Sequence, residues 1–357
     1  MKLMNRRQAL LALSTSSSAL LLGRAAAQDG NLTRRTSMGI VTYAFGIHQK
    51  NKWARSEGLS PALALLEESH RLGAAGIQTD LGAADVPHAT ELRQRAERYE
   101  MYIEASINPP RTPEDIDRFE EDVRVAKTAG ATLARTVILP GRRYEQFKSL
   151  AEFRDFERRG LESLQRAEPV LARNRFRLAV ENHKDQRIGE KLETIKRLNS
   201  EFIGICVDVG NSFTLMENPL ETARAFAPWV FTVHFKDQSV RENEEGFWFA
   251  DAALGEGFLD LPALVKILRE VQPKIHFNLE TITRDPLNVP VLKNEFWATM
   301  PDTPASELAR TLRVIKAKAS GKPFVIVSQL LAGEQLALEL KNVQQSIAYA
   351  RDQLGMM

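Results

Sequence analysis

Four short runs between Arg177 and Thr281 are apolar almost throughout, and each stops on a residue able to bind a metal. Residues 178–180 lead to Glu181, 205–207 to Asp208, 231–233 to His234 and 277–279 to Glu280. Strand-length runs with so little alternation suit parallel strands covered on both faces. Earlier in the chain, 39–43, 76–80, 102–107 and 133–139 read as four more strands. Between the eight lie stretches of helical period at 61–72, 89–99, 112–130, 144–173, 189–198, 219–226 and 261–271. A strand and helix repeating every 30 residues or so predicts an α/β chain folded as one (β/α)8 TIM barrel. The competing arrangement, an open doubly wound sheet, wants a glycine-rich phosphate turn after the first strand, and none is present. Chemistry-bearing residues at four successive strand ends favour closure, since a barrel brings those ends to one mouth.

The rest of the pattern sets the boundaries. A proline-interrupted loop covers 281–304, a helix follows at 306–318, and a final amphipathic helix carries Leu336, Leu340, Val343, Ile347 and Leu354 on one face. That additional C-terminal helix is read as a brace on the barrel's outer helices, in preference to a homo-oligomer interface. The N-terminus has Arg6-Arg7, a short apolar stretch and then Ala25-Ala26-Ala27, the features of a cleaved export signal of twin-arginine type. The expected organisation is a signal peptide at 1–27, a linker at 28–37, the catalytic barrel at 38–320 and an extension at 321–357, in an exported, periplasmic protein.

Composition changes little in this picture. With 357 residues, 43% of them hydrophobic, the chain can bury one large core. The formal charge of +2 owes its sign to the signal, which holds four cations and no acid, so a nucleic-acid partner is not expected. No mature segment is apolar enough to span a membrane. Cys206, the single cysteine, makes no intrachain disulfide and is read as core packing.

Alternate residues of a strand face the same way. If Glu181, Asp208, His234 and Glu280 point inward, His183 and Lys236 do too, nearer the mouth. Three carboxylates and one imidazole suit Mn²⁺, Mg²⁺ or Co²⁺, with Zn²⁺ as the softer alternative. Lys236 is a candidate acid or oxyanion stabiliser. Glu104 and Arg135 are expected to form an ion pair inside the barrel. Arg142 and Arg143 are placed on the surface, or against an anionic substrate group. Trp248, Phe249 and Trp297 are placed in loops where a sugar ring would stack.

The motifs Glu181-Asn182-His183, Asp208-Val209-Gly210-Asn211, His234-Phe235-Lys236-Asp237 and Gly255-Glu256-Gly257 with Asp260, then Glu280, resemble the xylose-isomerase-like sugar isomerase/epimerase superfamily. The resemblance implies a divalent metal, commonly Mn²⁺, held by Glu181, Asp208, His234 and Glu280. It also implies that Glu181 and Glu280 act as acid and base on opposite faces of a small carbohydrate. His183, Asn211, Trp248 and Arg241 are the substrate-binding candidates. Two positions depart from the related ketose 3-epimerases. Asn211 stands where a histidine is usual, and Val240 where an arginine is usual, with Arg241 adjacent. The implied activity is an isomerase or epimerase of an unphosphorylated keto-sugar or oxidised glycoside, with a lyase or hydratase of the inosose-dehydratase or 3-keto-glycoside type as runner-up. A metal phosphodiesterase on the same barrel would need a histidine-rich site, and this chain has only six histidines.

Overall fold

A computed structural model of the protein describes residues 35–51, 53, 60–82 and 86–357. The predicted signal and most of the predicted linker lie outside these residues. Eight parallel strands close into a barrel: β1 (Gly39–Val41), β2 (Gly76–Asp80), β3 (Tyr102–Ser106), β4 (Leu133–Thr136), β5 (Arg177–Glu181), β6 (Ile203–Asp208), β7 (Val230–Phe235) and β10 (Phe277–Leu279). Each pairs with its predecessor, except that β10 inserts between β7 and β1 to shut the ring.

Outward strand positions such as Ile40, Ile77, Leu178, Val180, Ile205 and Val233 are buried in one apolar core with the surrounding helices. Those helices are α1 (Pro61–Arg71), α2 (Val86–Tyr99), α3 (Ile116–Thr128), α4 (Leu150–Asn174), α5 (Ile188–Leu198), α6 (Pro219–Phe226) and α7 (Leu261–Val271). Proline at the first or second helical position opens α1, α6 and α7, and Ser60, Asn218 and Asp260 cap them with side-chain oxygens. The expected single (β/α)8 barrel is therefore the observed fold.

Two later helices divide the work differently from the expected order. α8 (Ala305–Lys318) lies away from the barrel wall, against a three-stranded sheet of β8 (Asp237–Asn243), β9 (Gly246–Ala252) and β11 (Leu287–Val289). Phe213, Val240, Phe247, Phe249, Val289 and Ile315 make a second apolar core there, on the side of the barrel where β6 and β7 end. α9 (Ala332–Asp352) takes the eighth wall position instead. Val343, Ile347 and Ala350 join the barrel core, and Glu339 accepts hydrogen bonds from the backbone N–H groups of Ile47 and His48. The first and last parts of the described chain meet as well: the Met356 carbonyl accepts from Thr36 Oγ1 at 2.6 Å and from Ser37 N at 3.0 Å.

Candidate metal centre

Glu181, Asp208 and His234 occupy the last or next-to-last positions of β5, β6 and β7, and Glu280 follows β10 directly. One ligand atom from each lies within 4.8 Å of the others, and all four residues are buried. His234 Nδ1 faces Glu181 Oε2 at 3.3 Å and Glu280 Oε1 at 3.1 Å. The strand ends thus gather four residues spread over a hundred positions of sequence.

The imidazole is held in one orientation from beneath. Gln78 donates its amide N–H to Glu104 Oε2 at 2.9 Å, so its amide oxygen must face His234 Nε2, 2.6 Å away. An oxygen there requires an N–H on Nε2. The neutral ring then presents the lone pair of Nδ1 to two carboxylates, and Nδ1 has no hydrogen-bond partner. Only a proton or a metal cation resolves that arrangement. Burial pulls the imidazole pKa down, but Cys206 and the two glutamates outweigh it and hold it well above the ordinary value. The donor set therefore fits a divalent cation that displaces this proton, with Glu181, Asp208, His234 and Glu280 as its holders.

The two glutamates differ in their surroundings. Glu181 is clamped: Arg135 donates Nε at 2.6 Å and also Nη2 to Oε2, and Asn211 donates to Oε1 at 3.1 Å. Burial would raise its carboxyl, yet Arg135 and His234 hold it well below the carboxylate range. Glu280 instead meets Lys236, whose ammonium bridges it to Asp208 Oδ2, 2.7 Å away. Burial alone would discharge Lys236, but Asp208 and Glu280 keep its pKa above the usual value. Asp208 turns its other oxygen to the backbone N–H groups of Gly210 and Asn211, and Asn182 straps the two strand ends together through Asp208 N and O.

His183 is partly buried, with Nδ1 donating to the Leu139 carbonyl at 3.0 Å; burial pushes its pKa down to about 4, which leaves Nε2 a free acceptor. Sequence reading missed Gln78, Arg135 and Lys184 as members of this site. It also missed Tyr43, whose ring lies under the Arg135 guanidinium, 5.6 Å to the centroid. No spacing rule marks them, because they reach the centre through barrel register.

Several expectations are corrected. Arg241 and Trp248 face each other across the β8–β9 hairpin and are exposed. Their segment is a strand pair, in which alternate residues turn away from the apolar core, and the sequence reading had a loop there. Phe249 is 1% exposed within that core, and Trp297 donates Nε1–H to the Val291 carbonyl beside it. Arg135 pairs with Glu181, not Glu104. The β3–β4 register sets Arg135 beside Ser106, two residues nearer the mouth than Glu104. Arg143 is 1% exposed, bound to Glu190 and Thr299, and is neither on the surface nor available to substrate. In the Gly255-Glu256-Gly257 segment, the N–H groups of Gly255 and Gly257 cradle the Asp237 carboxylate at 3.0 and 2.9 Å. That motif is a loop anchor.

Comparison with known proteins bears on the same residues. The family model of the xylose isomerase-like TIM barrel matches residues 66–315. A curated relative, 3-oxo-isoapionate decarboxylase of Pectobacterium atrosepticum, is 26% identical over 246 residues, 67% of this chain and 83% of its own. Among solved structures, a sugar phosphate isomerase/epimerase from Parabacteroides distasonis superposes with a TM-score of 0.54 at 12% identity, covering 92% of this chain and 98% of that one. The 3-keto-D-glucoside 4-epimerase of E. coli gives 0.51 at 14% identity, covering 79% and 100%. At these identities the two structures speak for the fold.

Proposed function

The chain belongs to the xylose isomerase-like TIM barrel family, and on that premise we propose that it is a metal-dependent isomerase or epimerase of a small keto-sugar. The observation that carries this reading is His234 Nδ1, fixed by Gln78 so that its lone pair faces two buried glutamates. A divalent cation bound there, Mn²⁺ in our reading, would acidify the carbon between a carbonyl and its neighbouring hydroxyl. Glu280 is the residue we assign to proton abstraction, because it is held by the flexible side chain of Lys236, whereas the Arg135 fork and Asn211 fix both oxygens of Glu181. Lys236 is then the acid beside the developing enediolate, and Glu181 serves the opposite face. His183 Nε2 accepts a substrate hydroxyl, and Asn211 holds Glu181 in place.

A second reading has a specific motive, the decarboxylase among the relatives. Loss of carbon dioxide from a 3-oxo acid leaves its bonding electron pair on the same enediolate, which Lys236 then protonates. If the N-terminal pattern is the export signal expected from the sequence, the protein works outside the cytoplasm on an unphosphorylated substrate.

The test incubates Mn²⁺-loaded protein with keto-sugars, 3-keto-glycosides and 3-oxo sugar acids in deuterated water, with products read by mass spectrometry and NMR. Conserved mass with one deuterium at the carbon beside the carbonyl supports the isomerase or epimerase. Loss of 44 mass units as carbon dioxide replaces it by the second reading, and no turnover of any member with metal bound sinks both.

A further inference from the structure

The charges around the quartet do not suit a neutral sugar. Three buried carboxylates, Glu181, Asp208 and Glu280, already face three buried cations, Arg135, Lys236 and Lys184. The neighbouring pairs Asp251–Arg284 at 3.1 Å, Asp185–Lys191 at 3.4 Å and Glu190–Arg143 at 2.6 Å cancel within themselves. A divalent cation added to this set brings two positive charges next to Lys184, while the other buried carboxylates nearby are already engaged, Asp237 by backbone N–H groups and Glu104 by Gln78, Thr232 and Asn278. Unpaired buried charge is costly.

Lys184 is the cation in that set with no carboxylate of its own. It is 5% exposed, and its ammonium donates to Asn211 Oδ1, an uncharged amide. No ion pair involves it among the described residues. Its backbone is left-handed, φ 60°, a conformation that a lysine adopts only when its surroundings hold it there, and the Lys184 carbonyl is held by Arg143 N at 3.0 Å. Three elements therefore cooperate to point one long cationic side chain at Asn211, the residue that also touches Glu181.

We propose that the substrate is an anionic keto-sugar, a sugar acid whose carboxylate pairs with Lys184 beside the metal centre. This deepens the preceding reading and rests on it for the metal and the hydroxy-ketone. Lys184 is the specificity determinant: with a carboxylate bound, its charge is neutralised and Asn211 is released to hold Glu181 alone. The lowering of its pKa to about 8, chiefly by burial and then by Lys236 and Arg284, is what a cation awaiting its counter-ion should show.

The experiment compares D-fructuronate with D-fructose, which differ only in carrying a carboxylate or a hydroxymethyl group at the carbon farthest from the ketone end. Binding to Mn²⁺-loaded protein is measured by calorimetry, so no turnover is needed. Wild type should bind the uronate roughly ten-fold or more tightly, as expected for a charge-assisted contact. Lys184→Asn keeps a residue that tolerates the left-handed backbone and should erase the preference, uronate affinity falling to that of fructose measured in the same variant. Equal affinities in wild type, or a preference that survives in Lys184→Asn, overturns the proposal while leaving the metal reading intact. A Lys184-dependent preference in protein that binds no Mn²⁺ overturns the metal reading and the charge argument drawn from it, and leaves only the pairing of Lys184 with a carboxylate.

Discussion

Two layers of the barrel interior, only two residues apart on the same strands, are built on opposite principles. In the lower layer Thr232, Asn278 and Gln78 all donate to Glu104 Oε2 at 2.8 to 3.1 Å, and His276 meets Oε1 at 2.8 Å. Asn278 is further held by Tyr102, whose ring stacks on His276. Every polar group there has a partner, which is how a buried network becomes rigid. One step toward the mouth, His234 and Glu280 replace Thr232 and Asn278. Carboxylates crowd together, and His234 Nδ1 is left without a partner. The lower layer is finished by folding, and the upper one is finished only by a ligand. Precision in the second is borrowed from the first, through the contact of Gln78 with His234.

That contrast can be broken deliberately. Asp208→Ala and His234→Ala should have the largest effect, removing Mn²⁺ binding and with it turnover. Thermal scans with and without Mn²⁺ should coincide in these variants. In wild type, metal at a hundredfold excess over its dissociation constant adds about 2.7 kcal/mol. Full metal occupancy in both variants would remove the quartet from the account.

Next come the two glutamates. Glu280→Gln should lower turnover about 10²- to 10⁴-fold, the usual scale for losing a general base, with the fold intact. Glu181→Gln should also unfold more easily, because it strands the buried Arg135 guanidinium. Identical stability losses in the two would show that the clamp on Glu181 is unimportant.

Gln78→Leu tests the link between the layers. It frees the His234 tautomer and should weaken Mn²⁺ about 10- to 100-fold, the range seen when the partner of a ligating histidine is lost. An unchanged metal titration would mean the ring is held some other way. The smallest effect on chemistry belongs to Glu104→Gln. It should lower stability by about 1–3 kcal/mol in denaturant melts, from donors left unpaired, while the metal-loaded enzyme keeps most of its rate.

Much of the upper layer was legible in the sequence. Glu181, Asp208, His234 and Glu280 each terminate an apolar run, and inward parity correctly carried Lys236 to them. The lower layer was not, because Gln78 and Glu104 sit in mid-strand and acquire meaning only from the stagger of neighbouring strands. Arg135 was assigned the wrong partner for the same reason. The β8–β9 hairpin did leave a trace, with Val240, Phe247 and Phe249 apolar on one face and a turn ending at Gly246, φ 153°. Following a metal-binding strand, it was easily taken for a loop. The distinct posts of α8 and α9 could not be told apart by amphipathicity, since both have an apolar face and only contacts say what it meets.

The bond from Thr36 to Met356 joins residues 320 apart in sequence. Together with α9 filling the eighth wall position, it means that the barrel wall is covered only after α9 and Met356 have been made. A chain shorter than that leaves uncovered the apolar core surface that Val343, Ile347 and Ala350 pack against, a patch open to other chains. Stopping translation before Ala332 should therefore give insoluble protein, even though every residue of the metal centre has already been made. Conversely, Thr36 and Met356 lie side by side, so a short peptide joining these two positions and a new opening in an exposed loop should yield a working permutant.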